Sequence, residues 1–346
     1  MLKSVGRWTR SLVLATVLLG TGADALADGS IWEFTGPACS GSSCPGWTEL
    51  DDNSSTIAIA TAYRGLFQLH LDGSIWQFTG AACSGSSCPG WLKLDNNPKT
   101  KVISASAGSL FQLHTDGSIW KYTGTPCSGS LCPGWQMIDD NPLAIDIVAD
   151  RDGGPDPFGG GEVYQLHSDR SIWRFTGVGC SGSSCPGWQM LDDNPNTKMI
   201  APGGGTLYQL HFDGSVWEWT ADACSGNSCP GWRLVDDDPL AIAIVGVGPL
   251  LYELRSDGSI WMVENNGMSC SGSSCGGVEL DNNPSARMIA ANSNSLWQMH
   301  ADGSIWEWKP GVACTGNSCP GWQRLDDNPS TVSIAASGAG PLYQLH

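Results

Sequence analysis

Six histidines, all that the sequence contains, occupy one recurring position and could supply hydrogen-bond donors or acceptors to a ligand. In the remaining copy the histidine becomes Arg255, and the glutamine two residues earlier becomes Glu253. Residues two apart on a strand share one face, so this paired change favours a Gln–His contact that holds the repeated unit together. A ring of ligand-binding groups is the alternative. The six positions are His70, His114, His167, His211, His300 and His346.

A second set of residues consists of tryptophans that follow a two-cysteine loop. An exposed indole at the start of an outer strand could stack on the apolar face of a sugar ring, or it could cover the edge of its own sheet. One copy has Val278 instead. The six tryptophans are Trp47, Trp91, Trp135, Trp188, Trp232 and Trp322.

The third set is a recurring turn that reads Asp-Asp-Asn or Asp-Asn-Asn in six copies and Asp-Asp-Asp in the copy that starts at Asp236, in most copies followed by Pro. Carboxylate and amide side chains could bind the hydroxyl groups of a sugar or serve as oxygen ligands for calcium. They could also simply form the turn. The spacing of a recognised calcium loop is absent. The leading aspartates considered as binding residues are Asp51, Asp95, Asp139, Asp192 and Asp326.

Fourteen cysteines form seven Cys-x4-Cys pairs with none left over. Each pair lies within one Ser/Gly loop, which predicts seven local disulfides in an exported protein. A zinc site is the alternative, but it would require neighbouring loops to share one metal. The predicted pairs are Cys39–Cys44, Cys83–Cys88, Cys127–Cys132, Cys180–Cys185, Cys224–Cys229, Cys270–Cys275 and Cys314–Cys319.

These residues must be positioned by a repeated unit. The segment Asp-Gly-Ser-Ile-Trp, or a close variant, recurs at spacings of 44, 44, 53, 44, 44 and 45 residues, and the long spacing contains an insertion at residues 151–159. Short strands of β-branched residues alternate with turns and show no helical period. Such a repeat predicts four-stranded propeller blades. Propeller geometry would place the Asp turns and the His-x-Asp-Gly hairpins on one face and the cysteine loops on the other.

The two ends of the repeat region complement each other. It begins at Asp28, midway through a unit, and ends at His346, where other units continue into Asp-Gly-Ser. The terminal strands therefore complete one shared blade, which closes a ring of seven and leaves no open sheet edge. We predict an all-β, seven-bladed propeller as a single domain over residues 28–346.

Residues 1–27 have the features of a secretory signal peptide. Lys3, Arg7 and Arg10 precede an apolar run, and Ala25-Leu26-Ala27 fits the cleavage rule. Cleavage near Ala27 would deliver the protein outside the cell or to a periplasm and change its net charge from −17 to −19. That charge excludes nucleic acid and anionic membranes as partners. No later segment is apolar enough to insert into a bilayer.

Each repeat contains the segment Leu-aromatic-Gln-Leu-His-x-Asp-Gly-Ser-Ile-Trp or a close variant, then an outer strand that begins with Trp and an inner strand similar to Ile-Ala-Ala. This pattern resembles the tectonin and tachylectin-2-like β-propellers. The resemblance covers the whole region after residue 27 and implies carbohydrate binding in pockets between blades. The cysteine loop is not a general feature of that family, so no individual sugar-binding residue is carried over.

We therefore expect a secreted lectin, monomeric or weakly oligomeric, with repeated weak sites for glycans on a surface and no cofactor. The alternative is an extracellular protein-binding or structural propeller. Catalysis is not expected, because the residues capable of chemistry recur blade after blade and no unique constellation stands out.

Overall fold

The computed structural model describes residues 28–62, 65–106, 108–150, 163–203, 205–226, 228–248, 250–264, 277–312, 314–316, 318–336, 338 and 340–346. The predicted signal peptide at residues 1–27, the 151–159 insertion and the Cys270–Cys275 pair lie outside them. Within the described residues, 28 strands form seven four-stranded antiparallel sheets, and no helix is present. The predicted seven-bladed propeller is confirmed.

Blades are numbered by their Asp-Gly-Ser segment, and strands are numbered along the chain. Blade 1 contains β1 (Ile31–Phe34), β2 (Trp47–Asp51), β27 (Ser333–Ala336) and β28 (Leu342–Leu345). Blade 2 contains β3 (Thr56–Ala62), β4 (Gly65–His70), β5 (Ile75–Phe78) and β6 (Trp91–Asp95). Blade 3 contains β7 (Thr100–Ser106), β8 (Ser109–His114), β9 (Ile119–Tyr122) and β10 (Trp135–Asp139). Blade 4 contains β11 (Ala144–Ala149), β12 (Val163–His167), β13 (Ile172–Phe175) and β14 (Trp188–Asp192).

Blade 5 contains β15 (Thr197–Pro202), β16 (Leu207–His211), β17 (Val216–Trp219) and β18 (Trp232–Asp236). Blade 6 contains β19 (Ala241–Val247), β20 (Leu250–Arg255), β21 (Ile260–Glu264) and β22 (Gly277–Asp281). Blade 7 contains β23 (Ala286–Ala291), β24 (Leu296–His300), β25 (Ile305–Trp308) and β26 (Trp322–Asp326).

Blade 1 closes the ring as the sequence predicts. Strand β1 pairs with β2 on one side and with the C-terminal β28 on the other. The two chain segments are also tied beyond the strands, because Gly29 N–H donates to the His346 carbonyl at 2.9 Å and His346 N–H donates to the Ser30 carbonyl at 3.0 Å. The closing blade therefore has the same four-stranded form as its neighbours.

The Asp-Gly hairpin is fixed by local chemistry. Asp72 Oδ1 accepts the Ser74 N–H at 2.9 Å, and Gly73 has a φ of +83°. A Cβ at Gly73 would lie 2.1 Å from the Asn97 carbonyl oxygen, so this position has no room for a side chain. Asn97 belongs to the Asp turn of the same blade. Hairpin and turn therefore share one face of the ring, as predicted.

The apolar core lies between blades rather than within one. A representative cluster joins Ala58, Phe67, Leu69, Ile75 and Leu94 of blade 2 to Ile103 and Leu110 of blade 3. Each blade therefore depends on its neighbours for burial of its apolar faces. Side chains at these interfaces are held in place by two blades, which is the requirement for a rigid site.

Candidate site at the blade interfaces

Each of the six described cysteine loops packs on the outer strand of the preceding blade. Cys83 N–H donates to the Glu49 carbonyl at 3.1 Å, and Cys88 Sγ lies 3.5 Å from Asp52 Oδ1. The expectation that cysteine loops and Asp turns occupy opposite faces is therefore wrong: the loop folds back along the neighbouring strand and reaches its turn. Within the described residues all six cysteine pairs are disulfide-bonded, as predicted, and no free cysteine is present.

The outer tryptophans join blades. Trp91 Nε1–H donates to the Leu50 carbonyl of the preceding blade at 2.9 Å, and its ring packs on Phe78 with centroids 5.3 Å apart. The same indole-to-carbonyl bond, at 2.8–2.9 Å, is made by Trp47, Trp135, Trp188, Trp232 and Trp322. The indole therefore covers an interface between blades, and at Trp47 it also lines a cavity.

The histidines are buried, with at most 6% of each exposed. The His114 ring stacks on Trp120 with centroids 5.8 Å apart, and its Nδ1 lies 3.2 Å from Ser118 Oγ. Burial lowers the pKa of all six histidines from the usual range, which favours the neutral ring at neutral pH. Each histidine is thus fixed by its own hairpin.

The glutamine that precedes each histidine has a different use from the predicted Gln–His pair. Thr197 Oγ donates to Gln209 Oε1 at 2.6 Å, and Gln209 Nε2 donates to Asp192 Oδ2 of the preceding blade at 2.9 Å. Gln298 makes the equivalent bond to Asp281 at 2.7 Å. Gln209 and Gln298 therefore each connect two blades through the leading aspartate of the turn.

The leading aspartates are also buried, with 5–6% exposed at Asp51, Asp95, Asp139, Asp192 and Asp326. Burial raises the pKa of Asp51, Asp139, Asp192 and Asp326 above the usual range. The third residue of the turn has a structural task, since Asn53 Oδ1 accepts the Ser55 N–H at 2.9 Å. The turn therefore combines one buried carboxylate with one residue that fixes the backbone.

These groups meet at a cavity of about 220 Å³ between blades 7 and 1. The structure brings the predicted His346, Asp326 and Trp47 together there. It adds residues that the sequence interpretation did not assign to a site, and the full lining is Trp32, Cys44, Pro45, Trp47, Asp326, Asn328, Gln344 and His346. Trp32 ends an Asp-Gly-Ser-Ile-Trp segment, and the tryptophans at this position of all seven repeats are only half-buried.

Several buried polar atoms in these interfaces have no hydrogen-bond partner in the described part of the chain. They include Nε2 of His70, His114, His167, His211 and His300, and Oδ2 of Asp51, Asp95, Asp139 and Asp326. Burying such atoms without a partner costs about 1–3 kcal/mol each. Ordered water or the polar groups of a ligand can satisfy these recurring atoms.

The interface between blades 5 and 6 differs from the rest. Arg255 Nη1 lies 2.9 Å from Asp238 Oδ2, and Nη2 lies 3.5 Å from Asp236 Oδ2 and 3.6 Å from Glu253 Oε2. The predicted contact between Glu253 and Arg255 is therefore present. The guanidinium also lies over the Trp261 ring, 4.2 Å from its centroid. Arg255 therefore forms ion pairs with the carboxylates of this interface, whereas the other interfaces have a neutral histidine at the same position.

The geometry gives little support to a metal. The described residues contain four groups of two aspartates and one cysteine, such as Asp51, Asp52 and Cys88, close enough to share an ion. Cys88 is in a disulfide, as are the cysteines of the other three groups, so none supplies a thiolate. The zinc alternative is thereby contradicted for the six described pairs.

No family model matches this sequence, and no curated protein matches it. Solved structures do match. Human WBSCR16 aligns over 91% of this chain and 98% of its own, at 12% identity and a TM-score of 0.55. Prp20p from Saccharomyces cerevisiae aligns over 92% of this chain and 91% of its own, at 11% identity and a TM-score of 0.59. The chain is a seven-bladed propeller. At these identities the likeness concerns the fold alone.

Two further observations bear on location. The six described disulfides are typical of extracellular proteins. Among the described residues, no helix has the length and apolar character needed to cross a membrane.

Proposed function

We propose that this protein is a secreted, multivalent carbohydrate-binding protein of the tectonin and tachylectin-2-like kind, with one weak site at each of six blade interfaces. The observation that carries the proposal is the recurring interface at which unpartnered histidine and aspartate atoms lie beside half-buried tryptophans. Hydroxyl groups can satisfy those atoms, and an indole suits the apolar face of a sugar ring. The cavity between blades 7 and 1, at about 220 Å³, suits a small ligand such as one terminal sugar.

The ring architecture suits weak sites. Interfaces repeated around one rigid body can engage several copies of a ligand on one surface, which raises avidity by about 10²–10⁴. Near-identical residues at successive interfaces are consistent with this mode of binding, whereas catalysis would require one distinct constellation. We therefore propose that the protein acts by binding its ligand and not by catalysing a reaction.

A glycan array probed with the oxidised full-length chain tests the proposal. We expect binding to several glycans that share one terminal sugar, and loss of that binding when the free sugar is added in excess. Protein that has been reduced and alkylated is the control for loop integrity. Absence of glycan binding, together with recovery of one protein in a pull-down, would contradict the proposal.

A protein-binding propeller is the second candidate. It is favoured by large apolar side chains at loop tips, where Leu71, Leu131 and Phe212 are 61%, 73% and 60% exposed. Prp20p, which shares the fold, binds Gsp1p and histones. The array and pull-down described above separate the two candidates.

A further inference from the structure

The hydrogen-bond network around three of the histidines, His114, His167 and His211, determines which ring nitrogen carries the proton. At blade 3, Ser118 Oγ donates its single proton to Asp116 Oδ1 at 2.7 Å and accepts the Trp120 indole N–H at 3.1 Å. Its remaining contact, with His114 Nδ1 at 3.2 Å, must therefore be donated by the histidine. The neutral ring then has a lone pair, not a proton, on Nε2. The same three contacts recur at Ser171 and Ser215.

At three of the interfaces, those of His70, His114 and His167, a second buried atom lacks a partner among the described residues, and it is also an acceptor. Asp95 Oδ2, across the interface from His114, is a carboxylate oxygen without a partner. The neighbouring indole N–H groups are already used, since Trp120 donates to Ser118 and Trp135 donates to the Leu94 carbonyl. The interface therefore presents two buried acceptors, and a ligand that satisfies both must bring donors.

The interface between blades 5 and 6 shows which chemistry satisfies such a set. There the chain supplies its own cation, and the Arg255 guanidinium contacts Asp236 and Asp238 while it covers Trp261. A positive charge with several N–H donors is thus compatible with the carboxylate and the indole in this arrangement. The net charge of the whole chain, −17, also favours the binding of cationic ligands.

We propose that the six interfaces without Arg255 bind a protonated primary amine, the ammonium group of an amino sugar, with its N–H bonds directed at the histidine Nε2 and the aspartate carboxylate. This inference rests on the proposed function and specifies its ligand class. Lys93, Lys99 and Arg287 act electrostatically on His70, His114 and His300. At the interface of blades 3 and 4 the only charge acting on His167 is the carboxylate of Asp169, and both His167 Nε2 and Asp139 Oδ2 lack a partner among the described residues, so this interface should bind the amine most tightly.

Titration calorimetry at neutral pH with three methyl glycosides tests the ligand class. The sugars are glucosamine, N-acetylglucosamine and glucose, which differ only in the group at carbon 2. We expect the free amine to bind at least about tenfold more tightly than the other two, which corresponds to about 1.4 kcal/mol, and to weaken as salt is added. Equal or tighter binding of the N-acetyl sugar would overturn the amine inference and leave the proposed function standing. Binding of none of these three, with an empty glycan array, would overturn both.

A gain-of-site variant tests the role assigned to Arg255. The fourfold substitution Glu253→Gln, Asp238→Asn, Arg255→His and Val278→Trp gives this interface the polar residues and the outer tryptophan of the others. We expect one additional binding site for the methyl glycoside of glucosamine, while Arg255→Lys, which keeps a cation in place, adds none. A fourfold variant that melts like the wild type and gains no site would contradict the inference.

Discussion

At the scale of residues, sequence periodicity was sufficient to select the histidines, the leading aspartates and the outer tryptophans, because each recurs at a fixed place in the repeat. It did not assign Trp32 to the cavity between blades 7 and 1. A strand tryptophan present in every unit looks like core, and only the burial of each indole shows that one side remains open. The glutamine partner was also misassigned. Gln209 bonds to an aspartate of the preceding blade, and a contact between repeats is invisible in the pattern of one repeat.

Asp146 is a residue for which the structure predicts a pH effect. It lies fully buried on the inner strand of blade 4, where its Oδ1 accepts the Ile147 N–H at 2.7 Å, and burial raises its pKa to about 8. Lys101 of blade 3 acts on it in the opposite direction. In the unfolded chain the carboxyl titrates near its usual value of about 3.9. The folded state therefore holds a proton that the unfolded state has lost between those pH values, and stability falls as pH rises through that window.

We expect the variant Asp146→Asn, which keeps the acceptor oxygen and cannot ionise, to lose this dependence. Thermal melts at pH 5, 6, 7 and 8 should show the midpoint of the variant rising relative to that of the wild type as pH increases. Comparison of the two proteins at each pH cancels the contributions of other titrating groups. A difference between the midpoints that stays constant from pH 5 to pH 8 would contradict the assignment.

At the scale of elements, the strands and the Asp-Gly hairpin followed from the sequence, but the position of the cysteine loop did not. A loop between two strands of one blade is expected to stay at the end of that blade. Here backbone bonds such as Cys127 N–H to the Lys93 carbonyl, at 3.0 Å, bring it onto the preceding blade. Each disulfide therefore stiffens a contact between blades as well as a loop.

Replacement of one disulfide by the pair Cys127→Ser and Cys132→Ser should lower the free energy of unfolding by about 2 kcal/mol, the entropy of closing so short a loop. Urea unfolding of the purified protein measures this loss. Leu131→Ser is the matched control, because this side chain is 73% exposed and most other copies have serine there. The control should unfold like the wild type. Equal stability of the double-serine protein and the control would show that the disulfide does not stabilise the folded protein.

A non-reduced digest analysed by mass spectrometry extends the test to the pair that lies outside the described residues. We expect seven peptides with internal Cys-x4-Cys links, including Cys270–Cys275, and no free thiol. Links between different blades, or bound zinc, would contradict the local pairing.

At the scale of the whole molecule, the number of repeats and the complementary ends predicted the closed ring. The sequence alone could not show which groups lie across each interface, because that depends on how neighbouring blades are oriented. Closure joins β1 to β28. The ring therefore has no unpaired blade edge at the junction of the two chain ends.

Deletion of residues 341–346 removes the strand β28 and exposes the edge of β1. We expect a large drop in the thermal midpoint and a tendency to aggregate, since an unpaired strand edge is a template for association. A circular permutant that links His346 to Asp28 and opens the chain at the Thr115-Asp116 hairpin tip is the control, and it should stay folded. A truncated protein that melts like the intact one would show that this closure contributes little.

The stoichiometry of a monovalent sugar tests the central claim most directly. Titration calorimetry of the oxidised chain, with the terminal sugar identified on the array, should give six sites per chain. The interface held by Arg255 should contribute none. Seven equal sites would show that the histidine is not part of the binding surface, and a single site would contradict binding at repeated blade interfaces.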